Sequence, residues 1–306
     1  MTATRPAPQP PSRTAAPRTQ WISAITTRGG NPDAVWRVFL RKPSTRIFGV
    51  LFILMVLLPL VGPLFARDPV ATRYPLLQPP GGDYALGTDH LGRDFLARLL
   101  DGGQVSLLVG FSVAAMCLTF ALIVGGLAGF YGGAIDVVLV KVTEFFQVIP
   151  GIVLALVAAT LIGSSISMIV IILGLTMWPG VARIVRAEAM RISQLGYVES
   201  QRAAGFRSFR ILWSDVLPNA MPPVLVATTM TVARAILAES GLSFLGIGDA
   251  NRPSWGALLN QAQPFIASAW WMALFPGLCI FLVVLAINML GDSLNDALNP
   301  SIGKVK

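Results

Sequence analysis

Charged side chains make up only 12% of the 306 residues, histidine occurs once and cysteine twice. A soluble domain of this length needs much more polar surface. The lone histidine, His90, and the lack of any Cys-x-x-Cys pair exclude a metal centre built by this chain alone. Cys117 and Cys279 both lie in apolar runs and read as small, polarizable packing residues. No Gly-x-x-x-x-Gly-Lys-[Ser/Thr] stretch is present, so the chain binds no nucleotide in that manner. Acids are scattered and no Ser/His/Asp grouping forms, so no catalytic residue is assigned and the chain does not read as an enzyme.

Long apolar runs are abundant, and 54% of the residues are hydrophobic. Roughly 20 helical residues cross the hydrocarbon of a bilayer. Residues 47–66 and 105–131 carry no charge. Residues 145–182 are also uncharged, too long for one crossing, and expected to fold back at the GSSIS turn near residues 163–167. Residues 221–248 supply a fifth span, interrupted by Arg234 and Glu239, and residues 270–290 a sixth. Backbone groups in lipid must be satisfied within the segment, so the expected fold class is an all-α polytopic membrane protein of six helices. The apolar run at 47–66 is too long for a signal peptide and FARDP is no small-residue cleavage site, so it reads as an uncleaved span.

The net charge of +8 is a matter of topology. Eight Lys/Arg precede Ile47, six arginines lie between Ala182 and Met221, and two lysines end the chain. Residues 67–103 carry four basic and five acidic residues, and 249–269 one of each. This bias puts both termini and the arginine-rich loop on the cytoplasmic side. No aromatic-basic groove pattern accompanies it, which argues against nucleic acid.

The expected organisation is a disordered basic cytoplasmic tail (1–46), a first transmembrane helix (47–66), and an extracytoplasmic loop with an amphipathic helix (67–103). A five-helix core (104–294) with a cytoplasmic loop at 183–221 follows, then a cytoplasmic tail (295–306). The first 30 residues, rich in Pro, Ala, Thr and Arg, cannot build a core. In the outer loop, Thr88 or Asp89 can cap a helix starting at His90–Leu91, with Leu91, Phe95 and Leu99 as its apolar stripe. His90 reads as solvated or capping, and Asp89, Arg93 and Asp94 pair locally or face water. Gly125, Gly129 and Gly133, four apart, suit close helix packing or a moving seam. Lys141 and Glu144, three apart, read as an ion pair. Arg234 and Glu239 either line a conduit or anchor helices.

The arginine-rich loop reads as two short helices. Residues 197–204 form one, stopped by Gly205. Ser208 can cap a second that puts Phe209, Leu212, Trp213 and Val216 on one face and ends at Pro218, with Arg202, Arg207 and Arg210 outside. Such an object rests on anionic lipid or docks a cytoplasmic partner, and composition does not choose between them.

Glu199, Gly205 six residues later, and Leu217-Pro218-Asn219 resemble the EAA loop of ABC importer permeases, although Ser200-Gln201 replace the family's two alanines. LGTDHLGRDFLARLL, SLLVG, AGFYGGAIDVVL, GLSFLGIG with PSWG, and LFPGL with LGDSLNDALNP resemble the second permease subunit of dipeptide/oligopeptide/nickel importers. These blocks cover nearly everything from Tyr84 to Pro300. The resemblance implies a type I importer permease fold in the bacterial cytoplasmic membrane, embedded in lipid and paired with a second permease subunit. It implies two cytoplasmic ATPases, which hold the ATP and Mg, with no cofactor on this chain, and an extracytoplasmic solute-binding protein. Short peptides are the implied cargo, with nickel chelates or longer oligopeptides as the alternative within the class; a secondary transporter or channel is the distant one. The implied ATPase-coupling residues are Tyr197, Val198, Glu199, Ser200, Gln201, Ala203, Ala204, Gly205, Phe206 and Arg210. Arg234 and Glu239 are candidates for the translocation pathway, and Asp89, Arg93 and Asp94 for contact with the binding protein.

Overall fold

The structure, a computed structural model, describes residues 42–298 together with Phe39, and the statements below concern those residues. The expected tails at 1–46 and 295–306 lie largely outside them; residues 43–46 and 295–298 are helical.

Helix α1 (Pro43–Val61) opens with proline at its first position, where a missing N–H costs nothing, and ends in a 3-10 turn, Gly62–Leu64. Helix α2 (Phe95–Tyr131) runs 37 residues. Helices α3 (Gly133–Val148) and α4 (Gly151–Ile162) are bent by 70° at their break. Pro150 causes it, because proline pushes the preceding Ile149 out of the helical region (ψ 118°). The third apolar segment thus starts at Gly133, earlier than the expected 145, and consists of two helices bent at their break. The fold-back lies where expected: Ser165 caps α5 (Ile166–Ser193), its hydroxyl accepting from the Met168 N–H at 3.3 Å. Since α5 continues to Ser193, Arg183, Arg186, Glu188 and Arg191 ride on the helix, and the loop expected from residue 183 begins at Gln194. Helices α6 (Gly196–Ala203) and α7 (Ser208–Ile211) follow, then a π-turn (Leu212–Val216), α8 (Leu217–Phe244), α9 (Trp255–Ala262), a 3-10 turn (Gln263–Phe265) and α10 (Trp271–Leu298). Five helices are long and apolar enough to cross a membrane, six with the bent pair. The chain is a multi-pass membrane protein.

The centre of the bundle is α2 against α5. A side chain at Gly125 would strike the Ala182 carbonyl oxygen, and one at Gly129 the Arg186 carbonyl oxygen. Glycine permits this approach, so two members of the glycine series form a packing seam. Gly133 does not: it sits at φ 55° between α2 and α3 with open space around it. Cys117 is fully buried there and Cys279 half-buried, both as free thiols. Across the inner ends, Arg186 grips Asp136 of α3 with two hydrogen bonds of 2.5 and 2.6 Å. Lys141 and Glu144 form the expected pair at 2.8 Å, on an exposed face.

The loop at 67–103 departs from the expectation of an amphipathic helix starting at His90–Leu91 and lying on the bilayer or the bundle. Residues 89–93 form a turn, and the helix begins at Phe95 as the outer end of α2, capped by Asp94, which accepts from Ala97 N–H at 3.0 Å. Asp89 is fully buried. Its carboxylate accepts from the Leu91 and Arg93 N–H groups, both at 2.9 Å, from Arg93 Nε at 2.7 Å and from Arg98 Nη1 at 2.6 Å. His90 neither caps nor floats in solvent; it stacks on Phe265 with centroids 4.9 Å apart. Burial holds its imidazole below the ordinary value. Trp271 Nε1 donates to the Thr88 carbonyl at 3.2 Å, tying this turn to α10.

Burial alone would raise the Asp89 carboxyl, yet the Arg93 N–H and the Arg98 and Arg93 guanidiniums together carry it below 3.8. A depressed folded-state value means the stabilisation is complete above the unfolded value and is lost as pH falls through the folded one. Asp89→Ala leaves Arg98, 3% exposed, without its carboxylate; the expected loss is about 3–5 kcal/mol. It is measured as a lower thermal midpoint in detergent above pH 5. Gly129→Leu forces α2 off the α5 backbone and is expected to cost about 3 kcal/mol or more, by the same assay.

Candidate functional site

Between α5 and α8 the chain projects from the bundle as an elbow. Helix α6 ends in a Schellman motif: the Gly205 N–H donates to the Arg202 carbonyl and the Phe206 N–H to the Gln201 carbonyl, both at 3.1 Å. That motif needs a left-handed residue, and Gly205 has φ 79°. Gly205 therefore stops the helix as the sequence predicts.

Four apolar side chains hold the elbow to the bundle. Val198, Ile211, Leu212 and Val216 are buried in the core that contains Val185, Ala189 and Ile192 of α5. The second helix differs from expectation in three ways. Ser208 is its first residue and makes no cap bond. The stripe divides, with Leu212 and Val216 inside while Phe209 and Trp213 stay exposed and pack on each other at 6.0 Å. Pro218 does not end it, and the chain continues into α8. One cause serves the last two differences. The π-turn at Leu212–Val216 rotates the register, and it interrupts the i→i−4 bonding that proline would otherwise break.

What the elbow presents outward is a compact mixed surface. Tyr197, Glu199, Ser200, Ala203, Ala204, Phe206, Arg207, Phe209 and Arg210 are exposed, and Gln201 is partly covered. Glu199 forms no ion pair among the described residues and stands free in the first turn of α6, where the helix dipole favours a carboxylate. Arg202 lies over the Phe130 ring at 4.9 Å and Arg210 over Phe206 at 5.2 Å, cation-on-ring contacts that fix both guanidiniums. Val198, unlike its neighbours in the expected coupling set, points inward as an anchor. Such a surface, with aromatic and arginine groups mounted on the bundle, can bear on a folded partner.

The other candidates are dispersed. Glu239 of α8 is buried, with Ser243 Oγ donating at 2.7 Å and Ser106 Oγ of α2 at 3.2 Å. Ser106 Oγ also accepts the Trp255 N–H at 3.3 Å, so the carboxyl joins α2, α8 and α9. Arg234 is exposed, its Nε donating to the Met230 carbonyl at 3.4 Å. The two side chains do not meet. The expected outer contact at Asp89 and Asp94 gives way to internal roles, since both are buried; Arg93 keeps 15% of its side chain exposed. Sequence reading missed the Asp136–Arg186 clamp. Its signal was an acid and a base near the inner ends of two apolar runs.

The sequence model of a family described as binding-protein-dependent transport system inner membrane component matches residues 121–304. The dipeptide transport system permease protein DppC of Bacillus subtilis (strain 168) is 38% identical over 273 residues, covering 87% of this chain and 85% of the relative. The di/tripeptide transport system permease protein DppC of Pseudomonas aeruginosa (strain UCBPP-PA14) is 36% identical over 277 residues, covering 87% and 91%. Among solved structures, an inward-facing conformation of the MetNI methionine ABC transporter matches with TM-score 0.54 and 22% identity, over 66% of this chain and 96% of that one. That likeness bears on the fold.

Proposed function

The chain belongs to the family of binding-protein-dependent transport system inner membrane components, and we propose that it imports di- and tripeptides as one of two permease subunits in the cytoplasmic membrane. The observation that carries the cargo is the level of identity to two di- or tripeptide permeases across most of both chains. In this reading both termini and the elbow are cytoplasmic, as the Lys/Arg bias favours. The ATPases are separate subunits, and each receives a coupling helix in a surface groove.

The elbow geometry supports α6 as that helix. Its outward residues form the bearing surface. Val198 and the Ile211/Leu212/Val216 group transmit load to α5 and α8. Nucleotide binding at the ATPases shifts the bundle only to the extent that the closed pair binds one arrangement of the elbow better than the other. A rigid Schellman turn and stacked guanidiniums keep that difference from dissipating in local flexing. An external binding protein delivers the peptide to the opposite face, where residues 67–103 and 249–269 are exposed in part.

Glu199→Lys reverses the free charge on the bearing surface, and Gly205→Leu puts a side chain where φ is 79°, a strain of about 1–2 kcal/mol. Each is expected to lower ATP-dependent peptide uptake by roughly tenfold or more, since about 1.4 kcal/mol of lost differential binding is tenfold. Membrane insertion stays unchanged for both, bundle stability stays unchanged for Glu199→Lys, and Gly205→Leu loses no more stability than that strain. Uptake by both variants at the wild-type rate and ATP dependence rules out α6 as the coupling element.

A further inference from the structure

The inner half of the bundle holds a recess bounded by α2, α3 and α5, about 110 Å³ in volume. Its lining is polar on one side: Thr143, Glu144 and Gln147 from α3, Arg183 and Arg186 from α5. Val124, Gly125 and Ala128 of α2 form part of the rest. Glu144 lies 11 residues from the inner start of α3 and Arg183 ten from the inner end of α5. At about 1.5 Å per residue both stand roughly 15 Å above the inner ends of their helices. Both charges line the same recess, one from α3 and one from α5.

Their engagements differ. Arg186 is committed to Asp136. Glu144 holds Lys141 at 2.8 Å, but both keep more than half of their side-chain surface exposed. Arg183 is exposed and makes no ion pair among the described residues. An arginine, a lysine and a glutamate on one edge of two spans are costly against lipid and belong on a watered path or a partner contact. The remaining exposed face of α3, with Val137, Val138, Val142, Phe145 and Val148, is apolar.

We propose that this recess is a transient subsite for the charged ends of the peptide being carried: Arg183 takes the C-terminal carboxylate, while Glu144, exchanging Lys141 for the substrate, takes the ammonium group. Carboxylate recognition by a guanidinium is directional and charge-assisted, which suits a solute defined by its termini. The inference rests on the import reading above.

The test uses the complete importer complex in detergent, without ATP or binding protein, and measures equilibrium binding of dialanine and of dialanine amide. The wild type is expected to bind dialanine at least tenfold more tightly than the amide. Arg183→Gln removes that preference, and Arg183→Lys restores part of it. Equal binding of dialanine by wild type and Arg183→Gln, or no binding by either, overturns the subsite. So does an effect of Arg183→Gln that vanishes when anionic phospholipid is withheld, since the occupant is then a headgroup. A parallel uptake assay with ATP and the binding protein separates the two readings. Import by the wild type and undiminished import by Arg183→Gln sink the subsite alone, and a wild type that imports neither dialanine nor trialanine sinks the peptide reading itself.

Discussion

The close approach of α2 and α5 is the contact on which the other arrangements depend. Two glycines let the backbones touch at Ala182 and Arg186, and at that distance the helices cannot slide without a clash. Helix α2, 37 residues long, spans about 55 Å. Its outer end carries Arg98, locked to Asp89. Its inner end carries Phe130, beneath Arg202 of the elbow. Helix α5 leads straight into the elbow through Gln194 and Leu195. The pair thus forms a strut with the elbow at its foot and the outer turn at its head.

The elbow is held by burial, and its polar groups are left outside. Val198, Ile211, Leu212 and Val216 bind it to the strut and to α8, while Glu199 and the arginines face outward. A lipid-resting amphipathic pair keeps its large apolar groups for the bilayer. Here Val198, Ile211, Leu212 and Val216 are consumed internally, and Leu195, Tyr197, Phe206, Phe209 and Trp213 stay exposed, on a surface that also carries charge.

Six spans, the fold-back at residues 163–165 and the stop at Gly205 were legible because each has a local cause: an uncharged run, a serine cap, or a position that only glycine occupies easily. Helix starts were less legible. Helices α2 and α3 begin in segments such as FLARLLDGG and GAIDVV, whose charges look like loop but are satisfied at long range by Asp89 and Arg186. The break at Pro150 was written in the sequence and hidden by the unbroken hydrophobicity around it. The π-turn has no sequence signature, so an α-helical register puts Phe209 and Trp213 on one face with Leu212 and Val216, which the structure separates. Pairings between distant segments, which decide that Asp89 is internal, do not show in local pattern.

The structure also separates two kinds of charge that a hydropathy reading treats alike. Glu239 is surrounded by hydroxyls from its own helix and α2, and Asp136 and Arg186 close on each other. These groups are satisfied within the chain and need neither water nor a neighbour, so their task is to fix helices. Lys141, Glu144, Arg183 and Arg234 are exposed on helices of the bundle. In the hydrocarbon each faces a cost of about 2.5–3.5 kcal/mol on insertion scales, whereas α1 shows Ile47, Val50, Leu54 and Leu57 outward and carries its one charge, Arg46, in its first turn. The lipid boundary therefore runs along α1, and the edge between α3 and α5 turns toward water or a second chain.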